Sequence, residues 1–126
     1  MFPKFLIRKM YEKESLQLTT EGGFSFIVRN NLANGNVIEV YHLDINDHEI
    51  PFKDITVKND TQSMLATEIS PETPIVLKKG VNTIFSCKYN EASSFKDQEV
   101  QISFKFKVQI RDSNMKIDFD FKDILR

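Results

Sequence analysis

Hydrophobic and polar residues alternate most regularly near the C-terminus. Over residues 100–110 every second side chain is apolar, and the same alternation resumes over residues 115–121. A period of two places the apolar side chains on one face of a strand. Residues 111–114 between the two runs read Arg-Asp-Ser-Asn, which is typical of a turn. The pattern predicts a long antiparallel hairpin with one buried face and one polar face that mixes Lys and Asp.

Shorter alternating segments predict further strands upstream of the hairpin. One is expected at residues 24–29, and a second at residues 37–45 with Tyr41, Leu43 and Ile45 on one face. A loop rich in Asn and Gly separates them, because both residue types accept positive φ at low cost. The other predicted elements are a tight turn at residues 46–49 and short strands at residues 55–57, 75–77 and 81–89.

Two segments fit either helix or strand, namely residues 5–14 and residues 62–69, and the alternation of residues 15–19 predicts that a strand follows the first of them. Pro71 and Pro74 exclude the intervening residues from a central strand, because proline cannot donate a ladder hydrogen bond. The whole pattern predicts seven to nine short strands with turns at regular spacing. We therefore expect an all-β, antiparallel β-sandwich of immunoglobulin-like or jelly-roll-like shape, with residues 1–126 forming one domain.

The composition of the chain makes several classes of function less favoured. The 126 residues carry 17 basic and 18 acidic side chains and a net charge of −1, so no global field favours nucleic acid or an anionic membrane. Cys87 is the one cysteine, so no intramolecular disulfide can form, and its alternating neighbours suggest a small strand residue. No secretory or membrane-spanning segment is recognised, and a cytoplasmic location is expected by default.

The densest group of candidate metal ligands lies between residues 42 and 49. It contains His42, Asp44, Asp47, His48 and Glu49, and imidazole and carboxylate groups are common ligands of divalent metals. His42, Asp44 and His48 are the candidates, since the first two share a strand face. The spacing matches no known metal-site signature, however. The preferred interpretation is a solvated strand and turn, with no metal, cofactor or catalytic residue assigned.

The closing hairpin offers no catalytic pair. Asp118 and Asp120 share a strand face, which would suit paired carboxylates. Lys116 and Lys122 flank them on that face, so a charge-balanced exposed strand is the preferred interpretation. No phosphate-binding glycine loop and no Ser-His-Asp or Cys-His arrangement is recognised elsewhere.

Several aromatic residues are candidate ligand contacts. Lys105 and Lys107 alternate with phenylalanines, but a period of two puts them on opposite faces, so no stacking platform for nucleic acid results. The three tyrosines are candidate sugar contacts, although burial in strands is the commoner role: they are Tyr11, Tyr41 and Tyr89.

Several phenylalanines lie near the N-terminus or in loops. Phe2, Phe5, Phe52 and Phe95 are surplus to one small core, and an exposed apolar patch usually marks a partner surface. The predicted partner interface combines three of them with a loop residue: Phe2, Phe5, Asn31 and Phe95.

The order of features in the first half of the chain is similar to a known pattern. Residues 1–7 read Met-Phe-Pro-Lys-Phe-Leu-Ile, residues 14–16 read Glu-Ser-Leu and residues 23–29 read Gly-Phe-Ser-Phe-Ile-Val-Arg. Residues 43–51 then predict a strand, a turn and a strand ending in proline. In this order the features resemble the small (beta) subunit family of C-glycoside deglycosidases over residues 1–57.

The resemblance implies a partner and an activity. It implies a β-sandwich subunit beside a larger TIM-barrel catalytic subunit that holds a divalent metal. The expected function is therefore the non-catalytic small subunit of a heteromeric carbon–carbon lyase that removes the sugar from aromatic C-glycosides. Two alternatives remain open: a stand-alone interaction or carbohydrate-binding module without enzymatic activity, and a small metal-dependent enzyme using His42, Asp44 and His48.

Overall fold

The computed structural model describes residues 4–126, in which ten strands form two antiparallel sheets around one hydrophobic core. One α-helix, α1 (Lys4–Arg8), precedes them, and short 3-10 helices lie at Phe52–Asp54, Ala66–Glu68 and Asn90–Phe95. The strands are β1 (Gln17–Thr19), β2 (Gly23–Arg29), β3 (Gly35–Ile45), β4 (His48–Glu49), β5 (Ile55–Lys58), β6 (Ser63–Leu65), β7 (Ile75–Leu77), β8 (Asn82–Lys88), β9 (Glu99–Ile110) and β10 (Ser113–Ile124).

The strand order confirms the predicted all-β sandwich. The first sheet has the order β1-β2-β8-β5-β6, and the second has the order β10-β9-β3-β4 with β7 also paired to β3. All of these pairings are antiparallel. The described residues contain more strands than the predicted seven to nine. The additional strand is β4, which has only two residues, too few for an alternating pattern, and which was predicted to be part of a turn.

The predicted C-terminal hairpin is present and longer than expected. β9 and β10 pair without a register shift from Ser113 opposite Ile110 to Ile124 opposite Glu99. The turn is only two residues, because Ser113 and the residue after it already belong to β10. Arg111 occupies the turn with φ 56°, and the positive φ matches the right-handed twist of the flanking strands.

Phenylalanine rings join the two sheets. Phe26 and Phe85 of the first sheet stack with ring centroids 5.4 Å apart, and Phe104 of the second sheet meets Phe85 edge-on at 4.6 Å. All three side chains are almost fully buried. Burial of each ring contributes about 1.5–3 kcal/mol, and each such ring pair adds about 0.5–1.5 kcal/mol. These rings hold the sheets face to face.

A bulge in β3 overturns one sequence prediction. Tyr41 does not share a face with Leu43 and Ile45: it is half-buried, whereas both of them are fully buried. The pairing with β9 shifts between Val40 and His42, and the extra residue changes the side-chain parity. Val40 therefore takes the inner position that strict alternation had given to Tyr41.

The predicted tight turn at residues 46–49 is shorter in the structure. Asn46 (φ 48°) and Asp47 (φ 67°) alone form it, and His48 and Glu49 already pair with β3. Positive φ at both central residues is the requirement of a type I′ hairpin turn, and Asn and Asp tolerate it better than most side chains. The shortening places His48 in a strand.

The two ambiguous segments each contain a helix. Residues 5–14 include most of α1, and the strand predicted to follow them is β1, whereas residues 62–69 include β6 followed by a 3-10 helix. Pro71 and Pro74 lie outside the strands, as expected. Among the helices of residues 4–126, none has the length and apolar character needed to cross a membrane.

Candidate functional site

A groove of about 860 Å³ opens between the N-terminal segment and the end of β10. One wall is fixed to the first sheet, because the N–H of Arg29 donates to the carbonyl of Met10 (2.7 Å) and the N–H of Glu12 donates to that of Ile27 (2.9 Å). The other wall is the last part of β10, in the second sheet. The groove thus lies where the edges of the two sheets approach each other.

Tyr11 and Phe121 form the floor of this groove. Their rings stack with centroids 3.7 Å apart and an interplanar angle of 12°. The Tyr11 hydroxyl donates a 2.6 Å hydrogen bond to Oδ2 of Asp123 and accepts one from the N–H of Leu16 at 3.2 Å. The tyrosine therefore ties the N-terminal segment to β10 through both its ring and its hydroxyl.

Asp123 is the most heavily hydrogen-bonded side chain of the groove. Besides Tyr11, it accepts from the N–H groups of Glu14 (2.9 Å) and Ile124 (2.7 Å) and from Nη1 of Arg126 (3.2 Å). Burial on its own would raise the pKa of Asp123, but these hydrogen bonds outweigh it and hold the pKa below the usual 3.8. Asp123 is therefore an ionised acceptor at neutral pH.

Tyr11 is the matching donor. Burial raises the pKa of the Tyr11 hydroxyl above its usual 10.0, and the hydrogen bond to Asp123 raises it further. The phenol therefore stays protonated over the physiological range. The pKa values of Tyr11 and Asp123 are thus shifted in opposite directions, both away from neutral pH, and their hydrogen bond joins the N-terminal segment to β10.

Charged side chains of both signs surround the floor. Two of the cations are paired: Nε of Arg8 lies 3.6 Å from Asp120, and Nη1 of Arg126 lies 3.2 Å from Asp123. The other charged side chains that line the groove are Lys9, Lys13, Lys122, Glu12 and Glu14. An aromatic floor inside a charged rim is the usual layout of a protein contact surface.

One residue in the sequence indicates this site: Asp123 stands at a position of β10 where the alternation predicts an apolar side chain. Along β10 the inward positions are apolar at Ile117, Phe119 and Phe121, and the next inward position is Asp123. A carboxylate at an inward position needs hydrogen-bonding partners, since an unpaired buried charge is too costly. Its partner Tyr11, by contrast, lies far away in sequence and could not be identified from the pattern.

The candidate metal ligands do not converge. His42 and Asp44 do share a face, with Nε2 of His42 2.6 Å from the Asp44 carboxylate and Nδ1 3.5 Å from that of Glu49. His48 pairs with the buried Ile45, which directs it to the opposite face, where its ring stacks on Tyr89 at 4.6 Å. Within residues 4–126 no group of three or more potential ligands is placed to hold a metal ion.

The predicted interface residues lie in separate elements. Phe5, on α1, is 60% exposed. Asn31 is exposed in the loop after β2, and Phe95 is half-buried against the core in a 3-10 helix. Phe2 lies outside the described residues. Of these residues, Phe5 is the one tied to the groove, because Nζ of the groove residue Lys9 lies 5.9 Å from its ring.

The other candidate residues occupy structural positions. Cys87 is buried in β8, and burial raises the pKa of its thiol, which disfavours the reactive thiolate. Asp118 and Asp120 are exposed, and Asp118 lies opposite Lys105. Phe104 is buried on the opposite face from Lys105, as the alternation predicts, whereas Nζ of Lys107 and Nζ of Lys116 lie over the ring of Tyr41.

Comparison of the sequence with protein-family models identifies a matching family. Residues 6–124 match the model of the family described as hydroxymethylglutaryl-CoA reductase, N-terminal domain. This chain belongs to that family. A comparison with curated proteins finds no match. The match to the hydroxymethylglutaryl-CoA reductase N-terminal domain family thus begins within α1 and covers all ten strands to the end of β10.

This membership corrects the resemblance drawn from the first half of the sequence. The chain is matched as a hydroxymethylglutaryl-CoA reductase N-terminal domain, so its identification with C-glycoside deglycosidase small subunits was wrong. The features that suggested it were short strands, a tight turn and a closing proline. Those features follow from two-residue hairpins in any antiparallel sandwich, such as β3–β4 here, and do not discriminate between families.

Proposed function

We propose that this chain is a non-catalytic accessory domain of a hydroxymethylglutaryl-CoA reductase, and that its groove binds a segment of the catalytic part of that enzyme. The observation that carries the proposal is the stacked pair Tyr11 and Phe121 inside a charged rim. Apolar centres with charged rims are what protein contacts use, because the centre supplies affinity and the rim supplies orientation.

The state of the titratable groups supports binding rather than catalysis. Asp123 accepts four hydrogen bonds from its surroundings, and its pKa is lowered away from neutrality. The pKa of Tyr11 is raised in the opposite direction. A general acid or base needs a pKa near the working pH, and these two residues move away from it.

The earlier expectation of a lyase subunit beside a TIM-barrel partner is not part of this proposal. It rested on the deglycosidase resemblance, which the family match corrects. The general idea of a non-catalytic partner domain remains, now with a reductase as the catalytic component. The carbohydrate-binding alternative loses one candidate contact, because Lys107 and Lys116 lie over the Tyr41 ring at 5.9 Å and 5.1 Å.

A second candidate is direct binding of the acyl-CoA named in the family description. The groove volume of about 860 Å³ falls within the range of small-molecule sites. Lys13 and Lys122 also line it, and among residues 4–126 neither forms an ion pair, so both can meet phosphate groups. The mixed signs of the rim favour a polypeptide over this polyanion.

One titration separates the two candidates. The ¹⁵N-labelled chain is titrated first with the catalytic domain of a hydroxymethylglutaryl-CoA reductase from the same host and then, separately, with hydroxymethylglutaryl-CoA. Accessory binding predicts amide shifts at Lys13 and Phe121 with the protein and none with the acyl-CoA. Lys13→Glu with Lys122→Glu should weaken this binding, whereas Lys58→Glu on β5 is the matched control. Shifts with neither ligand, or shifts confined to the loop around Asn31, would refute the proposal.

A further inference from the structure

One wall of the groove contains a tight turn at residues 12–15, which we call the groove turn. The N–H of Ser15 donates to the carbonyl of Glu12 at 3.2 Å. Glu14, the third residue, has φ 68°, whereas Lys13 before it does not have a positive φ. A positive φ at the third position is the mark of a type II turn, and this position favours glycine because a Cβ makes the left-handed conformation costly. The groove turn therefore carries a glutamate where the backbone favours glycine.

Two other turns of this chain have the same form. In the turn at residues 78–81 the N–H of the last residue donates to the first carbonyl at 3.1 Å, and Gly80 has φ 86°. In the turn at residues 95–98 the same bond is 3.0 Å, and Asp97 has φ 65°. All three turns have lysine at the second position. Glycine and aspartate both tolerate a positive φ, so the glutamate of the groove turn is the exception among the three.

Asp123 imposes this form on the groove turn. Type I and type II turns differ by a flip of the central peptide, which here joins Lys13 to Glu14. The N–H of that peptide belongs to Glu14 and donates to Oδ2 of Asp123 at 2.9 Å. In the other two turns the equivalent N–H donates to a backbone carbonyl, at 2.6 Å and 2.8 Å. A flip to type I would relieve the φ of Glu14 but would break its bond to the ionised Asp123.

The side chain of Glu14 has no internal partner to explain its presence. It is exposed and lines the groove, and no hydrogen bond or ion pair among the side chains that the structure describes uses its carboxylate. Arg111 also combines a long side chain with a positive φ, but it does not line the groove. A costly backbone conformation beside a cavity is typical of residues that bind a ligand.

We propose that Glu14 determines the specificity of the groove: its carboxylate binds a lysine or arginine side chain of the segment that fills the groove. Asp123 is the positioning residue, because it holds the groove turn in the type II form. Glu12 is a second carboxylate without an ion pair in the described structure, so the groove turn carries two negative charges against the single positive charge of Lys13. This inference rests on the proposed function, since it names the charge that the partner segment must carry.

Calorimetric titration with the catalytic domain of a hydroxymethylglutaryl-CoA reductase from the same host tests the role of Glu14. Glu14→Gln and Glu14→Gly should each raise the dissociation constant at least about threefold, because each removes one member of an exposed ion pair. Added salt should weaken binding of the wild type more than binding of Glu14→Gln. Glu21→Gln is the matched control, since Glu21 is exposed in the β1–β2 turn outside the groove, and it should leave binding unchanged.

Urea unfolding without any partner tests the role of Asp123. Glu14→Gly should raise the midpoint by about 0.3 M, because glycine adopts positive φ without steric cost, whereas Glu14→Ala keeps the Cβ and should not raise it. In an Asp123→Ala background the turn can relax to type I, so the gain from Glu14→Gly should disappear. A gain that persists in that background, or no gain in the wild type, would overturn the positioning role.

The binding outcomes separate this inference from the proposed function. Weaker binding of both Glu14 variants, with an unchanged Glu21→Gln control, supports the inference. Binding of the catalytic domain that the Glu14 variants leave unchanged overturns the inference alone. A wild-type chain that does not bind the catalytic domain refutes the proposed function and this inference with it. Tighter binding of hydroxymethylglutaryl-CoA by Glu14→Gln, without binding of the catalytic domain, shows an anionic ligand and also overturns the inference.

Discussion

The hydroxyl of Tyr11 donates a 2.6 Å hydrogen bond to Asp123, a residue 112 positions further along the chain. The two residues lie on the facing edges of the two sheets, so this bond closes the sandwich at the side where the N-terminal segment and β10 meet. The bond combines a neutral donor with a charged acceptor in a partly buried setting, which makes it stronger than a fully exposed polar contact.

Replacing Asp123 by alanine should destabilise the fold by about 2–3 kcal/mol, because it leaves the Tyr11 hydroxyl and the Glu14 N–H without their acceptor. Urea unfolding followed by circular dichroism measures the change. Asp118→Ala is the matched control: this carboxylate is exposed on the outer face of the same strand, and its loss should change stability by less than about 0.5 kcal/mol. Equal effects of the two substitutions would contradict the role given to Asp123.

Acid should remove the contribution of Asp123 selectively. Its pKa is lower in the folded chain than the usual 3.8, so its carboxylate stabilises the fold at pH values above the unfolded pKa. That stabilisation is lost as the pH falls through the lower folded pKa, where the native carboxylate takes up its proton. The stability difference between the wild type and Asp123→Asn, measured by urea unfolding at about pH 7 and about pH 3, should therefore shrink on acidification. A difference that stays constant or grows would disprove the assignment.

How much of this structure the sequence predicts depends on how far apart in the chain the interacting residues lie. The β9–β10 hairpin was predictable because its apolar face repeats over many residues and its turn is local. The bulge that displaces Tyr41 was not, because it depends on how β3 pairs with β9, more than fifty positions away. Asp123 could have been noticed as a charge at an inward position. The groove itself requires Tyr11 and Asp123 together, and no local pattern relates the two.

Cys87 should react with a thiol reagent only when the chain opens. The side chain is 3% exposed, and burial raises the pKa of its thiol, so both access and thiolate formation are suppressed in the folded state. Labelling by a chromogenic disulfide reagent should be at least about a thousandfold slower in native buffer than in denaturing urea, in line with the stability of ordinary domains. Complete labelling within the mixing time in native buffer would show that the thiol is accessible.

The turn between β3 and β4 should be improved by a single glycine. Asp47 has φ 67°, and at this position of a type I′ turn glycine adopts positive φ without the steric cost of a Cβ. Asn46 is left in place, because its N–H and side-chain oxygen both bond to the backbone of Gln101. Asp47→Gly should stabilise the fold by about 0.5 kcal/mol, whereas Asp47→Ala, which keeps the Cβ and loses the local polar side chain, should destabilise it by about 1 kcal/mol. Urea unfolding of the three proteins measures the order. If the alanine variant is as stable as the glycine variant, the left-handed conformation of residue 47 is not what limits this turn.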